Sequence, residues 1–147
     1  MSLFTQLAAA TGMVLLTVLI HLAGLAVLLP VIRRQRRSQG KHVLASEVIG
    51  IVAAALGLFV LHGVEIWAYA ALFDFVGATA DFETALYFST ATYTTVGYGD
   101  VLLTPPWRLV GAIEGANGII LLGWSTAFFV AMVGRIRFVE SELGRSV

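Results

Sequence analysis

Three long apolar stretches make up most of this chain of 147 residues and restrict its fold to one that crosses a lipid bilayer. They run from Leu3 to Ile32, from Val43 to Phe73 and from Leu109 to Val133. A transmembrane helix needs about 20 predominantly apolar residues, so each stretch is long enough to span. Only 12% of the residues are charged, whereas soluble domains carry about 25%. The sequence therefore predicts an all-α membrane protein with three transmembrane helices.

The remaining composition excludes several classes of function. The formal net charge is zero, which removes the electrostatic argument for nucleic-acid binding. The chain has no cysteine, so disulfides, thiolate metal sites and cysteine nucleophiles are absent. No pattern in the sequence is typical of a catalytic nucleophile, a phosphate-binding loop or a metalloenzyme, and we do not expect an enzyme. No basic residue precedes Arg33, so we interpret the first stretch as a retained helix and not as a secretory signal.

A shorter helical segment lies between the second and third stretches. Residues 82–93 are too few to cross about 30 Å of hydrocarbon, but they suit a re-entrant half-helix that enters the membrane and returns. Asp81 is a favourable N-cap, and Glu83 suits the positive end of the helix dipole. Irregular backbone at membrane depth survives only where protein surrounds it or where it lines a water-filled path. We expect the segment after this half-helix to be such a lining.

That segment reads Thr95-Val96-Gly97-Tyr98-Gly99-Asp100. The two glycines permit positive φ without a Cβ penalty, so backbone handedness can alternate and successive carbonyls can point to one axis. Rings of such carbonyls from four chains replace the hydration shell of K⁺ in potassium-channel filters. A glycine-rich turn that merely joins two helices is the alternative. The half-helix and the flanking spans agree with the filter, and one loop per chain then requires a homotetramer.

The basic residues predict the orientation of the chain in the membrane. Only Arg108 lies near the half-helix, and the others follow the first or the third stretch: Arg33, Arg34, Arg36, Arg37, Lys41, Arg135, Arg137 and Arg145. By the positive-inside rule, the loop and the C-terminus are cytoplasmic and the N-terminus is outside. The run Arg33, Arg34, Arg36 and Arg37 is suited to binding anionic lipid, although fixing the topology is by itself enough to explain it.

The stretch from about Val48 to Val133 resembles the two-transmembrane pore domain of prokaryotic potassium channels. The resemblance is sharpest over residues 85–100, and the start of the last helix, Trp107-Arg108-Leu109-Val110, also resembles the family. It implies passive K⁺ conduction in a prokaryotic inner membrane, with four chains around a water-filled cavity. The implied arrangement is an N-terminal transmembrane helix at 1–32, a basic cytoplasmic loop at 33–42, a pore domain at 43–134 (outer helix 43–73, pore helix 82–93, filter 95–99, inner helix 108–134) and a cytoplasmic tail at 135–147.

The resemblance also implies roles for single residues. K⁺, the transported ion, would bind at the filter residues Thr95, Val96, Gly97, Tyr98 and Gly99. The filter would be supported by Asp100, Tyr87 and Phe88. Gly118 would be a gating hinge, and the cavity would be lined by Ile119, Leu122 and Thr126. Some relatives place a carboxylate behind the filter where this chain has Ala91, so Asp100 needs another partner, for which we propose Tyr87.

Four polar residues lie within the predicted spans: His62, Glu65, Glu114 and Asn117. Carboxylates are costly in lipid and usually face protein or water. Since each carboxylate has one of the other two residues a helical turn away, we expect the four to form one cluster between the outer and inner helices. Two interpretations stay open, a network that couples protonation to gating and a satisfied structural network. We interpret His21, alone in the first span, as a helix-contact or solvated residue and not as a metal ligand.

Two alternatives to a selective potassium channel stay open, a weakly selective cation channel and a non-conducting membrane subunit of a larger channel assembly. The spans lack the regularly spaced arginines of a voltage sensor. We expect gating to arise from the filter, the inner helices, lipid, pH, the first span or an unknown regulatory subunit.

Overall fold

The computed structural model describes residues 2–35 and 43–143, and it describes side chains for residues 2–30 and 48–133. The described part contains four α-helices and no β-strand. The elements, in chain order, are α1 (Leu3–Gln35), α2 (Val43–Phe75), α3 (Phe82–Tyr93), a 3-10 turn (Pro105–Trp107) and α4 (Arg108–Leu143).

Three of these helices are long and apolar enough to cross a membrane, over Leu3–Pro30, Val48–Phe75 and Pro105–Val133. Helix α3 has 12 residues and is too short to do so. The predicted all-α fold with three spans and a short pore-like helix is therefore confirmed.

The helix ends differ from the sequence-based boundaries. Helix α1 passes through Pro30 and continues to Gln35, and α4 continues to Leu143, into residues predicted as a tail. Hydropathy locates the edge of the hydrocarbon and not the last helical residue, and proline is tolerated in transmembrane helices. The predicted lipid contacts of Arg33 and Arg34 involve side chains outside the described ones, and Arg36 and Arg37 lie wholly outside the described residues.

Helix α3 packs between α2 and α4, and α1 packs against both α2 and α4. The largest buried cluster includes Ala10 and Met13 of α1, Tyr69 and Phe73 of α2, and Val110 of α4. A backbone hydrogen bond of 3.1 Å from Thr104 N to Ala78 O joins the two loops that flank α3. Helix α1 is thus a packed part of the bundle.

Two glycines allow helices α1 and α2 to approach closely. A Cβ at Gly24 of α1 would lie 3.0 Å from Leu61 Cγ, and a Cβ at Gly57 of α2 would lie 3.4 Å from Leu28 Cδ1. The contact is reciprocal, because each helix inserts a leucine over a glycine of the other. Small residues at such positions are typical of membrane helix interfaces, where close van der Waals packing drives association.

Candidate functional site

The residues that flank helix α3 form side-chain hydrogen bonds at both of its ends. Asp81 is the N-cap, and its Oδ1 accepts a hydrogen bond of 2.7 Å from Thr84 N. This hydrogen bond from the backbone lowers the pKa of Asp81. At the other end the Thr94 hydroxyl donates to Thr90 O at 2.7 Å. The helix ends at Tyr93, directly before the glycine-rich segment.

The backbone of that segment alternates in handedness over five residues. Thr95, Gly97 and Gly99 have φ of 63°, 53° and 76°, while Val96 and Tyr98 between them are not in the positive region. Alternating handedness turns successive carbonyl oxygens toward one side of a strand, which is the requirement for a carbonyl-lined path. Sequence reasoning predicted positive φ for the two glycines but not for Thr95, because threonine rarely adopts positive φ.

Two backbone hydrogen bonds hold this segment against the end of the half-helix. Gly97 N donates to Ala91 O at 2.9 Å, and Thr95 N donates to Thr92 O at 3.0 Å. These bonds use carbonyls that would otherwise be unpaired at the end of α3. The strained φ of Thr95 is thus fixed by its neighbours on both sides.

Tyr87 connects the half-helix to the outer end of the segment. Its hydroxyl donates to Asp100 Oδ2 at 2.8 Å, which is the partner proposed for this carboxylate from the sequence. The hydrogen bond to the carboxylate raises the pKa of Tyr87. The Tyr87 ring also stacks on the Tyr98 ring, with centroids 6.4 Å apart. Phe88, in contrast, packs edge-on against Phe73 of α2, so it fixes α3 to the outer helix.

Gly118 lies where α4 crosses the end of the half-helix. A Cβ there would meet the Tyr93 carbonyl group and lie 2.9 Å from its carbon. This contact gives the glycine a packing role, and α4 is continuously helical through it. The hinge role therefore stays a prediction. Of the predicted cavity residues, Ile119 and Thr126 are exposed and Leu122 is half-buried, and their roles also stay predictions.

A hydrogen-bonded network is centred on Glu65, which is fully buried. Its Oε1 lies 2.9 Å from His21 Nδ1, and its Oε2 lies 3.0 Å from His62 Nδ1 and accepts from the Tyr93 hydroxyl. His62 Nε2 lies 2.9 Å from Ser125 Oγ. One carboxylate thus connects α1, α2 and α3, and His62 extends the network to α4.

The predicted cluster of four polar residues is divided, which corrects the sequence analysis. His62 and Glu65 meet as expected, but Asn117 donates to Thr17 Oγ1 at 2.8 Å and to Tyr69 Oη at 3.3 Å. The reason is rotational, since residues three apart on a helix differ by about 60° around its axis. Glu114 shares the face of α4 that packs on α3, whereas Asn117 faces α1 and α2.

Glu114 is fully buried, and neither carboxylate oxygen has a hydrogen-bond partner among the described residues. The Ser89 hydroxyl of α3 is close to it but is also without a hydrogen bond within that part of the chain.

Sequence reasoning missed three members of the network, His21, Tyr93 and Ser125. In the structure the buried positions of α1 recur every three or four residues, at Ala10, Met13, Thr17, His21 and Leu25. Such spacing marks one face of a helix. His21 is a helix contact, as one of its two interpretations held, and it is not solvated, since it is fully buried.

The sequence profile of the family Ion_trans_2, described as Ion channel, matches residues 49–135, which is more than half of the chain. The chain belongs to this ion-channel family. The channel is a multi-pass membrane protein with an ion-channel pore domain, and the family is not one of enzymes. The comparisons with curated proteins and with solved structures gave no match. Helix α1 lies outside the matched residues, although its His21 and Thr17 bond to residues within them.

Proposed function

We propose that the channel conducts K⁺ passively and selectively through a filter made by residues 95–99 of four identical chains. The observation that carries this proposal is the alternation of φ at Thr95, Gly97 and Gly99. It is the backbone form that lets five successive residues present carbonyl oxygens to one axis. K⁺ gives up its water only where equivalent oxygens replace it, and selectivity reflects the number and field strength of those carbonyls.

The half-helix supports the same function electrostatically. Helix α3 ends at Tyr93, and its C-terminal end carries the negative end of the helix dipole. The hydrogen bonds from Gly97 and Thr95 fix the filter to that end. A cation near the start of the filter would therefore meet partial negative charge without a formal carboxylate. This lowers the free energy of a dehydrated cation at membrane depth.

The exposure of the filter in the single chain supports its assembly with further copies. In the single chain Tyr98 is 73% exposed and Val96 is 54% exposed. Irregular backbone cannot face lipid, because its polar groups would have no hydrogen-bond partners there. Neighbouring copies around a central axis would cover these side chains and leave the carbonyls facing ions. By the positive-inside rule, the outer mouth would face away from the side that carries most of the arginines.

The test is cation uptake by vesicles that contain the purified channel, combined with the mass of the assembly in detergent. We expect accumulation of radioactive Rb⁺ that external K⁺ suppresses and external Na⁺ does not, from particles with the mass of four chains. Equal suppression by K⁺ and Na⁺ would favour the weakly selective alternative. Tetramers that take up no cation in a preparation screened over pH and lipid would favour the non-conducting subunit.

A further inference from the structure

Two imidazoles and a carboxylate meet inside the helix bundle. One ligand atom each from His21, His62 and Glu65 lies within 4.8 Å of the others. The Tyr93 hydroxyl lies 3.0 Å from His62 Nδ1 and donates to the same carboxylate. All four side chains are buried, and they come from α1, α2 and α3.

We propose that His21, His62 and Glu65 form a site for one divalent transition-metal ion, with Zn²⁺ the best fit and the Tyr93 oxygen as a fourth ligand. The ion would be resident and would not permeate. Imidazole nitrogen and carboxylate oxygen are common ligands of Zn²⁺. K⁺ and Mg²⁺ are excluded from this site by its two nitrogen ligands, since hard cations prefer oxygen.

The spacing of the ligand atoms is close to that of a tetrahedral site. Bonds of about 2.0–2.2 Å to Zn²⁺ place neighbouring ligand atoms about 3.3 Å apart. His21 Nδ1 lies 2.9 Å from Glu65 Oε1, whereas His62 Nδ1 lies 3.0 Å from Oε2, so only one of these two pairs includes the oxygen that would bind the ion, and that pair needs to open by a few tenths of an ångström. The remaining separations, at most 4.8 Å, have to shorten, which small rotations of side chains can provide. The ion would occupy the centre where hydrogen bonds now meet.

The far nitrogens of the two rings also suit a metal site. His62 Nε2 lies 2.9 Å from Ser125 Oγ, and His21 Nε2 lies 3.4 Å from the same oxygen. A hydroxyl oxygen has two lone pairs and can accept from both rings. Metal-binding histidines commonly donate their other N–H to such a partner, which fixes the tautomer with Nδ1 free to bind the ion.

The hydrogen-bond donors and acceptors around the two imidazoles show how a metal ion would complete the bonding of the site. Without it, an ionised Glu65 is satisfied when each Nδ1 carries a proton. Both Nε2 atoms are then acceptors, yet the Ser125 hydroxyl has only one proton to donate. Two neutral histidines therefore leave one ring nitrogen unsatisfied in a buried site, which is unfavourable, and either a proton that makes one ring an imidazolium paired with Glu65 or a bound metal ion removes that cost. A metal on the Nδ1 side lets both Nε2–H groups donate to Ser125, and every nitrogen then has a partner.

The test is Zn²⁺ binding by calorimetry to the metal-free channel, purified in detergent without a polyhistidine tag. We expect one Zn²⁺ per chain and at least a tenfold loss of affinity in both His21→Ala and His62→Ala. The control is His42→Ala, which removes the third histidine of the sequence and should leave the affinity unchanged. Absence of saturable binding to the wild type would overturn the proposal, as would loss of binding in His42→Ala alone.

A second measurement needs no variant and stands even if the substitutions unfold the bundle. Co²⁺ added to the metal-free wild type should give the intense visible bands of four-coordinate cobalt, and Zn²⁺ should abolish them by competition. Zn²⁺ should also raise the thermal unfolding temperature, because it binds only the folded arrangement. Weak bands typical of six-coordinate cobalt would overturn the site. Neither readout depends on ion conduction.

Discussion

Thr95 is the residue at which the pore loop departs most from ordinary backbone. A non-glycine residue in the left-handed region is disfavoured by about 1–2 kcal/mol. Its φ of 63° persists because Thr95 N and Gly97 N are both hydrogen-bonded to the end of α3. The strain lies within the segment that we propose binds the ion, where a preorganised ring of oxygens needs a fixed backbone.

Gly97→Ala tests whether the alternation sets selectivity. Alanine at φ of 53° is strained, and we expect the filter to leave its alternating form, with loss of K⁺ uptake or of discrimination against Na⁺. Gly77→Ala is the matched control, because Gly77 has φ of 65° and, like Gly97, has no atom within 4 Å of an added Cβ. Because the added strain is similar, the two variants should lose similar amounts of thermal stability. Only Gly97→Ala should lose selectivity in the vesicle assay. Equal selectivity in both variants would contradict the claim that the alternating backbone sets selectivity.

The two buried glutamates form a second matched pair. Glu65→Gln removes a charged acceptor from three hydrogen bonds, and we expect a loss of about 1–3 kcal/mol. Glu114→Gln removes a carboxylate without a hydrogen-bond partner in the described part of the chain, so stability should be unchanged or raised. Thermal unfolding in detergent measures both. Equal losses would show that Glu114 has a partner that the single chain does not supply. That protonation of either glutamate affects gating stays a prediction.

At the scale of the elements, the sequence predicted what depends on local spacing. Length and hydropathy give the three spans, and Asp81 with the short run after it gives α3. The contacts of α1 were not predictable, because a membrane helix is apolar on all sides and its periodicity says little about which face meets protein. The spacing of residues along the sequence indicates only which residues share a face of the same helix. The network at Glu65 joins residues 44 and 28 positions apart, so no local pattern reveals it.

Gly24→Leu tests whether α1 is an integral part of the pore domain. A side chain there would collide with Leu61 of α2, and we expect α1 to be displaced, with the thermal stability of the assembly lowered by about 2–3 kcal/mol. Gly12→Leu is the control on the same helix, because no atom lies within 4 Å of an added Cβ at Gly12. Equal stability of the two variants would contradict tight packing of α1. The thermal unfolding midpoint of purified protein is the measurement.

At the scale of the whole molecule, the chain combines a family pore domain with an additional helix bonded into it. Residues 49–135 match the ion-channel family, while α1 contributes Thr17 and His21 to buried hydrogen bonds. Tyr93 belongs to this network and directly precedes Thr94 and the filter. Hydrogen bonds therefore connect α1, through Glu65 and Tyr93, to the start of the segment that we propose as the ion path. The resemblance supplied no role for α1, and only the three-dimensional contacts give it one.

The most direct test of the account is the reversal potential of the purified channel in a planar bilayer, with K⁺ on one side and Na⁺ on the other. A filter of stacked carbonyl rings predicts a value close to the K⁺ equilibrium potential. A clear current that reverses near zero would contradict a selective filter made by residues 95–99.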